Sequence, residues 1–260
     1  KDSAIVDFGE EVCVMSTDPI TGATKDLGSL AVHVSCNDVA TSGAEPLGVL
    51  LTILAPPETA IEDIENIMID ASKAAEEINI EIMGGHTEIT DGVNRIIISS
   101  TVIGKQKKDK LPNTKDIKVG DKVIVTKYIG IEGTSIIAKE LFHKLKDTLG
   151  EEKLIEAQDL GKMISVVKEG TICGEIGVKY MHDITEGGVF GAVWEAANAV
   201  NMGVKIKENL IPVKTITKEI CSSLNINAYR LISSGSMLII ADEERRRRRL
   251  VAYDVTLDVS

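Results

Sequence analysis

Three aspartates in the first part of the chain, Asp2, Asp18 and Asp38, are candidate metal ligands. Asp2 and Asp18 lie beside short apolar runs that predict strands, so a sheet could bring their carboxylates together. Asp38 lies among small and apolar residues near the end of a predicted helix, where a satisfied helix-surface carboxylate is an equally good interpretation. Mg²⁺ prefers oxygen ligands and usually keeps one or two carboxylates together with substrate phosphates. Three aspartates at the ends of separate elements therefore suit a magnesium–polyphosphate site better than a zinc site.

Two glycine-rich segments follow predicted strands and could let a ligand approach the backbone. Segment 84–88 is Gly-Gly-His-Thr-Glu, and segment 183–188 is Asp-Ile-Thr-Glu-Gly-Gly, just before a predicted helix. Paired glycines permit positive φ, and a helix N-terminus behind a glycine-rich turn attracts anions. Each segment has an ordinary alternative, since the first could form a plain turn and Asp183 or Thr185 could simply cap the helix. The sequence contains neither a P-loop motif nor a dinucleotide-binding motif.

Apolar periodicity predicts the elements that position these residues in the first half of the chain. The first helix is predicted to stop at Gly43, and the nearly all-apolar run over 47–55 predicts a buried strand. Acidic residues mark the start of a second helix, whose apolar face is predicted to begin at Ile61. The predicted elements are helices over 27–43 and 58–79 and strands at 12–15, 47–55, 80–83 and 94–104.

The second half of the chain repeats this alternation of strands and helices. The predicted strands are at 122–126, 179–181, 204–206 and 236–241, and the predicted helices are at 136–145, 151–169, 189–199 and 217–224. Segment 105–120 is charged and turn-like, so we expect a domain boundary there, with domains at 1–110 and 111–260. The alternation predicts an α/β (α+β) protein rather than an all-α or all-β one.

The net charge of −11 over 260 residues argues against a nucleic-acid-binding protein. The same acidity is compatible with a polyphosphate ligand if divalent cations bridge the like charges. The run Arg245–Arg249 is an isolated basic segment, which we interpret as a solvated helix face or an imperfectly assigned stretch rather than a nucleic-acid patch.

Four cysteines are scattered without metal-binding or redox spacing, which favours reduced, mostly buried thiols and a cytoplasmic location. No apolar stretch approaches the roughly 20 residues that span a bilayer, so we expect no membrane association. There is also no signal-peptide pattern in the sequence given.

Five motifs occur in a characteristic order: Asp2–Val6, Ser16–Asp18, Asn37–Pro46, Gly84–Glu88 and Asp183–Gly188. In this order and with these residue types the chain resembles the aminoimidazole ribonucleotide (AIR) synthase superfamily, with its greatest likeness to the HypE-like, hydrogenase-maturation branch. The resemblance extends from Asp2 to about Ala241, and its most specific motifs are Asn37–Pro46 and Asp183–Gly188.

The resemblance implies a two-domain PurM-like fold. The N-terminal domain pairs its sheet with a second copy into a dimeric barrel, the C-terminal domain is α/β, and ATP with Mg²⁺ lies in the cleft between the domains. By motif position, the metal ligands are Asp2, Asp18, Asp38 and Glu88. The nucleotide-binding residues are Gly84, Gly85, His86, Thr87, Asp183, Glu186, Gly187 and Gly188.

The implied activity is Mg-ATP-dependent phosphorylation of an oxygen of a small or carrier-bound substrate, with the acids as ligands and no catalytic acid or base assigned. Two alternatives remain: a nucleotide-binding maturation or regulatory protein with little turnover, and a kinase similar to thiamine-monophosphate kinase. Many members carry an acid where this chain has His86. We expect His86 to contact a phosphate rather than Mg²⁺, because Mg²⁺ prefers oxygen ligands.

The first half also predicts a homodimer. Strands 47–55 and 94–104 are apolar on both alternating faces, as in strands that are covered on both sides. The helix over 58–79 can cover only one side of that sheet. The resemblance implies that a second subunit covers the other.

Overall fold

The computed structural model describes residues 3–21 and 26–244, and the backbone of 257–259. Asp2 and the run Arg245–Arg249 therefore lie outside the described residues. The chain divides into two compact units, Lys1–Leu111 and Pro112–Ser260. Among the described residues, no helix combines the length and the hydropathy that a bilayer-spanning segment requires.

The first domain is a five-stranded sheet, as far as it is described, in the order β1-β2-β5-β3-β4. Strands β3 and β4 run parallel, whereas the other neighbouring pairs run antiparallel. The elements are β1 (Ala4–Asp7), β2 (Glu11–Ile20), α1 (Leu27–Thr41), β3 (Glu45–Ala55), α2 (Ile61–Glu77), β4 (Glu81–Ile89) and β5 (Ile97–Lys107).

One face of this sheet is covered by the helices, and α1 packs tightly on α2. A Cβ added at Gly28 would lie 2.0 Å from the carbonyl oxygen of Ile67, so only glycine allows the two helices to approach this closely. Along β2 and β5 buried and partly exposed residues alternate, as in a sheet covered on one side. On the opposite, open face of β3, Leu50 is 42% exposed.

Most predicted elements of the first domain are confirmed within a few residues, but three details were wrong. Strand β2 continues to Ile20, so Asp18 lies inside a strand rather than beyond its end. The apolar face of α2 does not begin at Ile61, which is 71% exposed; burial starts at Ile67, where the helix meets α1.

The third difference concerns the first glycine pair, which was predicted to follow a strand over 80–83 but lies inside β4. Gly84 and Gly85 pair with Leu50 and Leu51 of β3 just after a register shift, and they have φ values of 154° and 153°. A Cβ at Gly85 would lie 1.9 Å from the Leu51 carbonyl oxygen. The close approach of the neighbouring strand therefore requires glycine at this position.

The second domain contains a sheet of five described strands in the order β7-β9-β6-β10-β8, with antiparallel neighbours. Its core packs β6 and β9 against α7. The elements are β6 (Lys122–Val125), α3 (Ile131–Glu140), α4 (Phe142–Leu149), α5 (Glu151–Asp159), α6 (Val167–Ile176), β7 (Tyr180–Asp183), α7 (Gly188–Val200), β8 (Val204–Lys205), α8 (Thr215–Ser223), β9 (Met237–Ala241) and β10 (Leu257–Val259).

Two predicted helices of this domain are each divided in the structure. The helix predicted to include Ile136 and Leu145 becomes α3 and α4, and the one predicted over 151–169 becomes α5, a 3₁₀ turn and α6. The 3₁₀ turn places Gly161 against Ser135 of α3, where a Cβ would lie 2.7 Å from the hydroxyl oxygen. Packing against α3 therefore divides a helix that the local apolar periodicity alone predicts to be continuous.

Candidate functional site

The structure brings two of the predicted metal ligands, Asp18 and Asp38, to the same serine. Ser16 Oγ donates to Asp38 Oδ2 at 2.6 Å and also lies 3.3 Å from Asp18 Oδ2. Alternation along β2 turns Ser16 and Asp18 toward the face that α1 covers, and α1 contributes Asp38, which is 7% exposed. Sequence reasoning missed the role of Ser16, although its position two residues before Asp18 places it on the same face.

The electrostatics of this group favour a cation. A hydroxyl has one hydrogen, so Ser16 donates to one carboxylate at a time, and the shorter contact is to Asp38. Burial raises the pKa of the nearby Cys36 thiol to about 12, and the negative charge of Asp38 adds to this shift. The buried Asp38 carboxylate and the partly exposed Asp18 carboxylate thus lie around one hydroxyl, where a divalent cation would offset their negative charge.

The donor set fits magnesium better than a softer metal. Among the described residues, no group of three or more His, Cys, Asp or Glu side chains is arranged to hold a metal ion. Asp18, Asp38 and the Ser16 hydroxyl offer oxygen atoms from only two carboxylates. Mg²⁺ typically leaves its other positions to phosphate oxygens and water, so this partial shell suits a magnesium–nucleotide complex.

Glu88 and His86 lie apart from this pair of aspartates. Both are exposed on β4, with His86 Nε2 3.8 Å from Glu88 Oε2. Strands β5 and β3 separate β2 from β4, and strand spacing puts β4 about 14 Å from β2. The structure therefore does not bring Glu88 into one coordination shell with Asp18 and Asp38.

The second predicted glycine turn follows β7 in the second domain. Asp183 is the last residue of β7, and Gly187 and Gly188, with φ of 80° and 61°, lead into α7. A Cβ at Gly188 would lie 2.5 Å from the carbonyl oxygen of Tyr229, so this turn requires glycine. Asp183 is 1% exposed, and its Oδ2 has no hydrogen-bond partner within the described part of the protein.

A further acid, Glu132, joins this turn although sequence reasoning did not select it. It is the second residue of α3, is 8% exposed, and its Oε2 accepts the Ser234 N–H at 3.2 Å. Burial raises the pKa of Glu132; the bonds from Ser234 oppose this shift, while the charges of Glu186 and Asp183 add to it. The sequence does contain an indication of Glu132, since it is an acidic residue between Gly130 and Gly133 just before a predicted helix.

Comparison with known proteins identifies the family. A model of the AIR synthase related protein N-terminal domain matches residues 1–106, and the model of the C-terminal domain matches 118–253. A putative hydrogenase expression/formation protein of Methanocaldococcus jannaschii is 31% identical over 247 residues, covering 91% of this chain and 70% of that protein. Carbamoyl dehydratase HypE of Bradyrhizobium diazoefficiens is 26% identical over 234 residues, covering 87% and 66%. The chain thus spans about two thirds of the length of these relatives.

Solved structures show the same two-domain fold. Hydrogenase maturation protein HypE in complex with ATP matches with a TM-score of 0.82 at 22% identity, covering 100% of this chain and 79% of that one. AaThiL complexed with AMPPCP and TMP matches with a TM-score of 0.80 at 20% identity, covering 99% and 83%. The predicted α/β two-domain fold is confirmed. This chain belongs to the AIR synthase related protein family.

Proposed function

We propose that this protein binds Mg-ATP and phosphorylates an oxygen of a small or carrier-bound substrate, as a HypE-like member of its family. The observation that carries the proposal is the placement of Asp18 and Asp38 around the Ser16 hydroxyl. This arrangement supplies a partial oxygen shell of the kind that magnesium shares with phosphates. The ATP complex of HypE supports a nucleotide as the ligand, and the relative named carbamoyl dehydratase HypE supports the HypE-like assignment.

Asp18 and Asp38 would hold the magnesium ion, with Asp2 as a proposed third ligand. When bound, the metal neutralises charge that develops on the transferred phosphoryl group. Ser16 orients the Asp38 carboxylate through its 2.6 Å hydrogen bond. The acids then act as ligands rather than as proton carriers, and positioning with charge neutralisation carries the catalysis.

The glycine segments would face the nucleotide. In the first domain, Gly84 and Gly85 expose backbone on the edge strand β4, next to His86 and Thr87. His86 is exposed and lies beside Glu88 rather than beside Asp18 and Asp38, which argues against a magnesium–nitrogen bond at that site. Contact between His86 and a phosphate stays a prediction. In the second domain, the turn from Asp183 to Gly188 would contribute Asp183, Glu186, Gly187 and Gly188.

Calorimetry with ATP and a non-hydrolysable analogue, combined with a phosphate-release assay, tests this proposal. Asp38→Asn should abolish Mg-dependent ATP turnover while the circular dichroism spectrum stays unchanged. Asp26→Asn, at the start of the same helix α1, is the matched control and should keep activity. Unchanged turnover in Asp38→Asn would refute the assignment of this carboxylate.

The same assay separates the alternative functions. A metabolite panel that includes a carbamoylated carrier and thiamine monophosphate should show ADP formation with one substrate. ADP formed only with thiamine monophosphate would favour the kinase alternative. Tight Mg-nucleotide binding with no phosphate release across the panel would favour a binding protein with little turnover.

The open face of the first sheet supports a homodimer. Leu47 and Leu50 are 40% and 42% exposed on β3, and Met15 is partly exposed on β2. Helices α1 and α2 cover the opposite face, so a second copy of this domain would bury these apolar side chains. Light scattering at micromolar concentration should give twice the chain mass; a monomer would count against this assembly.

A further inference from the structure

Two turns at one edge of the second sheet are held together by backbone hydrogen bonds. The Ser233 N–H donates to the Ile184 carbonyl at 3.1 Å, and the Ile184 N–H donates to the Ser236 carbonyl at 2.9 Å. One turn therefore runs from Asp183 to Gly188 and the other from Ser233 to Ser236. Glu132 bridges to the second turn, since its carboxylate accepts the Ser234 N–H.

Three acids, Glu132, Asp183 and Glu186, lie around these turns. Of the basic groups nearby, His182 Nδ1 lies 3.6 Å from Asp183 Oδ1, and Lys127 Nζ donates to the Gly235 carbonyl at 2.9 Å. Glu132 and Asp183 are both buried, and the charges of Asp183 and Glu186 both raise the pKa of Glu132. The Oδ2 atom of Asp183 is buried and has no hydrogen-bond partner among the described side chains and backbone. A buried acceptor without a donor costs free energy unless a ligand or cation satisfies it. This orphaned oxygen is a geometric observation that does not depend on any pKa, and it fits a site that a cation completes.

We propose that Glu132 is a positioning residue of this nucleotide-binding turn. Its carboxylate fixes the Ser233–Ser236 turn beside the Asp183–Gly188 turn, and its charge makes nucleotide binding there depend on a divalent cation. The inference rests on the proposed function, because it assumes that phosphates approach Asp183 and Glu186. Without a cation, three carboxylates repel the phosphates. A divalent cation offsets most of the carboxylate charge, so that the turn fixed by Glu132 can bind the phosphates.

Two substitutions separate the geometric role of Glu132 from its electrostatic role. Glu132→Gln keeps an oxygen that can accept the Ser234 N–H but removes the charge. Glu132→Ala removes both. Glu152→Gln is the matched control, because Glu152 is also an acid in the first turn of a helix, α5, but is exposed. Binding of a non-hydrolysable ATP analogue is measured by calorimetry at about pH 8, with Mg²⁺ and with a chelator.

The wild type should bind the analogue at least about 100-fold more tightly with Mg²⁺ than without it. Glu132→Gln should bind the magnesium-free analogue about 10-fold more tightly than wild type and the magnesium complex within about 3-fold of it. Glu132→Ala should weaken binding of the magnesium complex about 10-fold, because Ser234 loses its acceptor. Glu152→Gln should match wild type under both conditions.

The outcomes distinguish this inference from the proposed function. Suppose that wild type binds the analogue, and that Glu132→Gln binds it with the same affinity as wild type both with and without Mg²⁺. The inference about Glu132 is then wrong and the proposed function stands. If wild type binds no analogue, both are wrong. A second measurement uses wild type alone, in case the variants do not fold. Hydrogen exchange at Ser234 should slow when the magnesium complex is added and not when the magnesium-free analogue is added; equal protection would overturn the inference.

Discussion

Ser16 on β2 donates to the buried carboxylate of Asp38 on α1 at 2.6 Å, so a strand and a helix are joined at the candidate metal site. The same hydroxyl oxygen lies 3.3 Å from Asp18 Oδ2. The serine therefore stabilises the carboxylate pair before any cation is present. A bound cation would supply part of this stabilisation, because it attracts both carboxylates directly.

Ser16→Ala should lower the free energy of unfolding by about 1–2 kcal/mol without Mg²⁺, since a buried carboxylate loses a donor. The loss should shrink when Mg²⁺ and a nucleotide analogue are present. Urea unfolding with and without these ligands measures both values. Thr17→Ala, which changes the neighbouring hydroxyl on the other face of β2, is the control and should show no such dependence on ligands. A loss of equal size under both conditions would contradict the proposed link between Ser16 and the metal.

Gly85→Ala should destabilise the first domain more than Gly84→Ala. At Gly85 a Cβ would lie 1.9 Å from the Leu51 carbonyl oxygen, whereas at Gly84 it would meet only the Leu50 side chain at 3.7 Å. Both positions have φ near 154°, so both substitutions carry backbone strain, but only the first adds a clash with backbone. We expect a loss of about 2–3 kcal/mol for Gly85→Ala and about 1 kcal/mol for Gly84→Ala in urea unfolding. Equal losses would show that strain alone decides the preference for glycine.

The fold was largely predictable because helical and strand periods are local properties of the sequence. The spacing of Leu27, Leu30 and Val34 predicted α1, and the apolar run before Pro56 predicted β3. Contacts between distant segments were not predictable in the same way. Glu132 meets Ser234 across 102 positions, and the need for Gly85 arises from a carbonyl on the neighbouring strand. Sequence motifs thus identified candidate residues, while packing decided which of them meet.

The four cysteines should differ sharply in reactivity. Burial raises the pKa values of Cys36 and Cys173 to about 12, and it also raises the pKa of Cys221. At about pH 8, a thiol with a pKa near 12 is ionised only to about one part in 10⁴. Cys13 is partly exposed on the open face of the first sheet. An Ellman titration of the folded protein should therefore label one thiol rapidly, and Cys13→Ser should remove that phase.

The same thiol also reports on assembly. If a second copy covers the open face, labelling of Cys13 should slow as the protein concentration rises, whereas labelling of the unfolded chain should not change. A rate that is independent of concentration across the range where light scattering detects association would place the interface elsewhere.

Glu132 should make the protein less stable as pH rises. Its pKa is raised in the folded state, mainly by burial, so the folded state holds the proton more tightly than the unfolded state does. Between the ordinary glutamate pKa of about 4.3 and the raised value, the unfolded state binds fewer protons, and the free energy of unfolding falls as pH increases. Other carboxylates titrate in the same range, so the informative quantity is the difference between wild type and Glu132→Gln. The free energy of unfolding of wild type minus that of Glu132→Gln should be smallest at the upper end of this pH range. The corresponding difference for Glu152→Gln should not change with pH. The measurement is urea unfolding of the three proteins across this pH range. If the difference between wild type and Glu132→Gln stays constant with pH, then burial and the neighbouring charges do not raise the pKa of the Glu132 carboxyl.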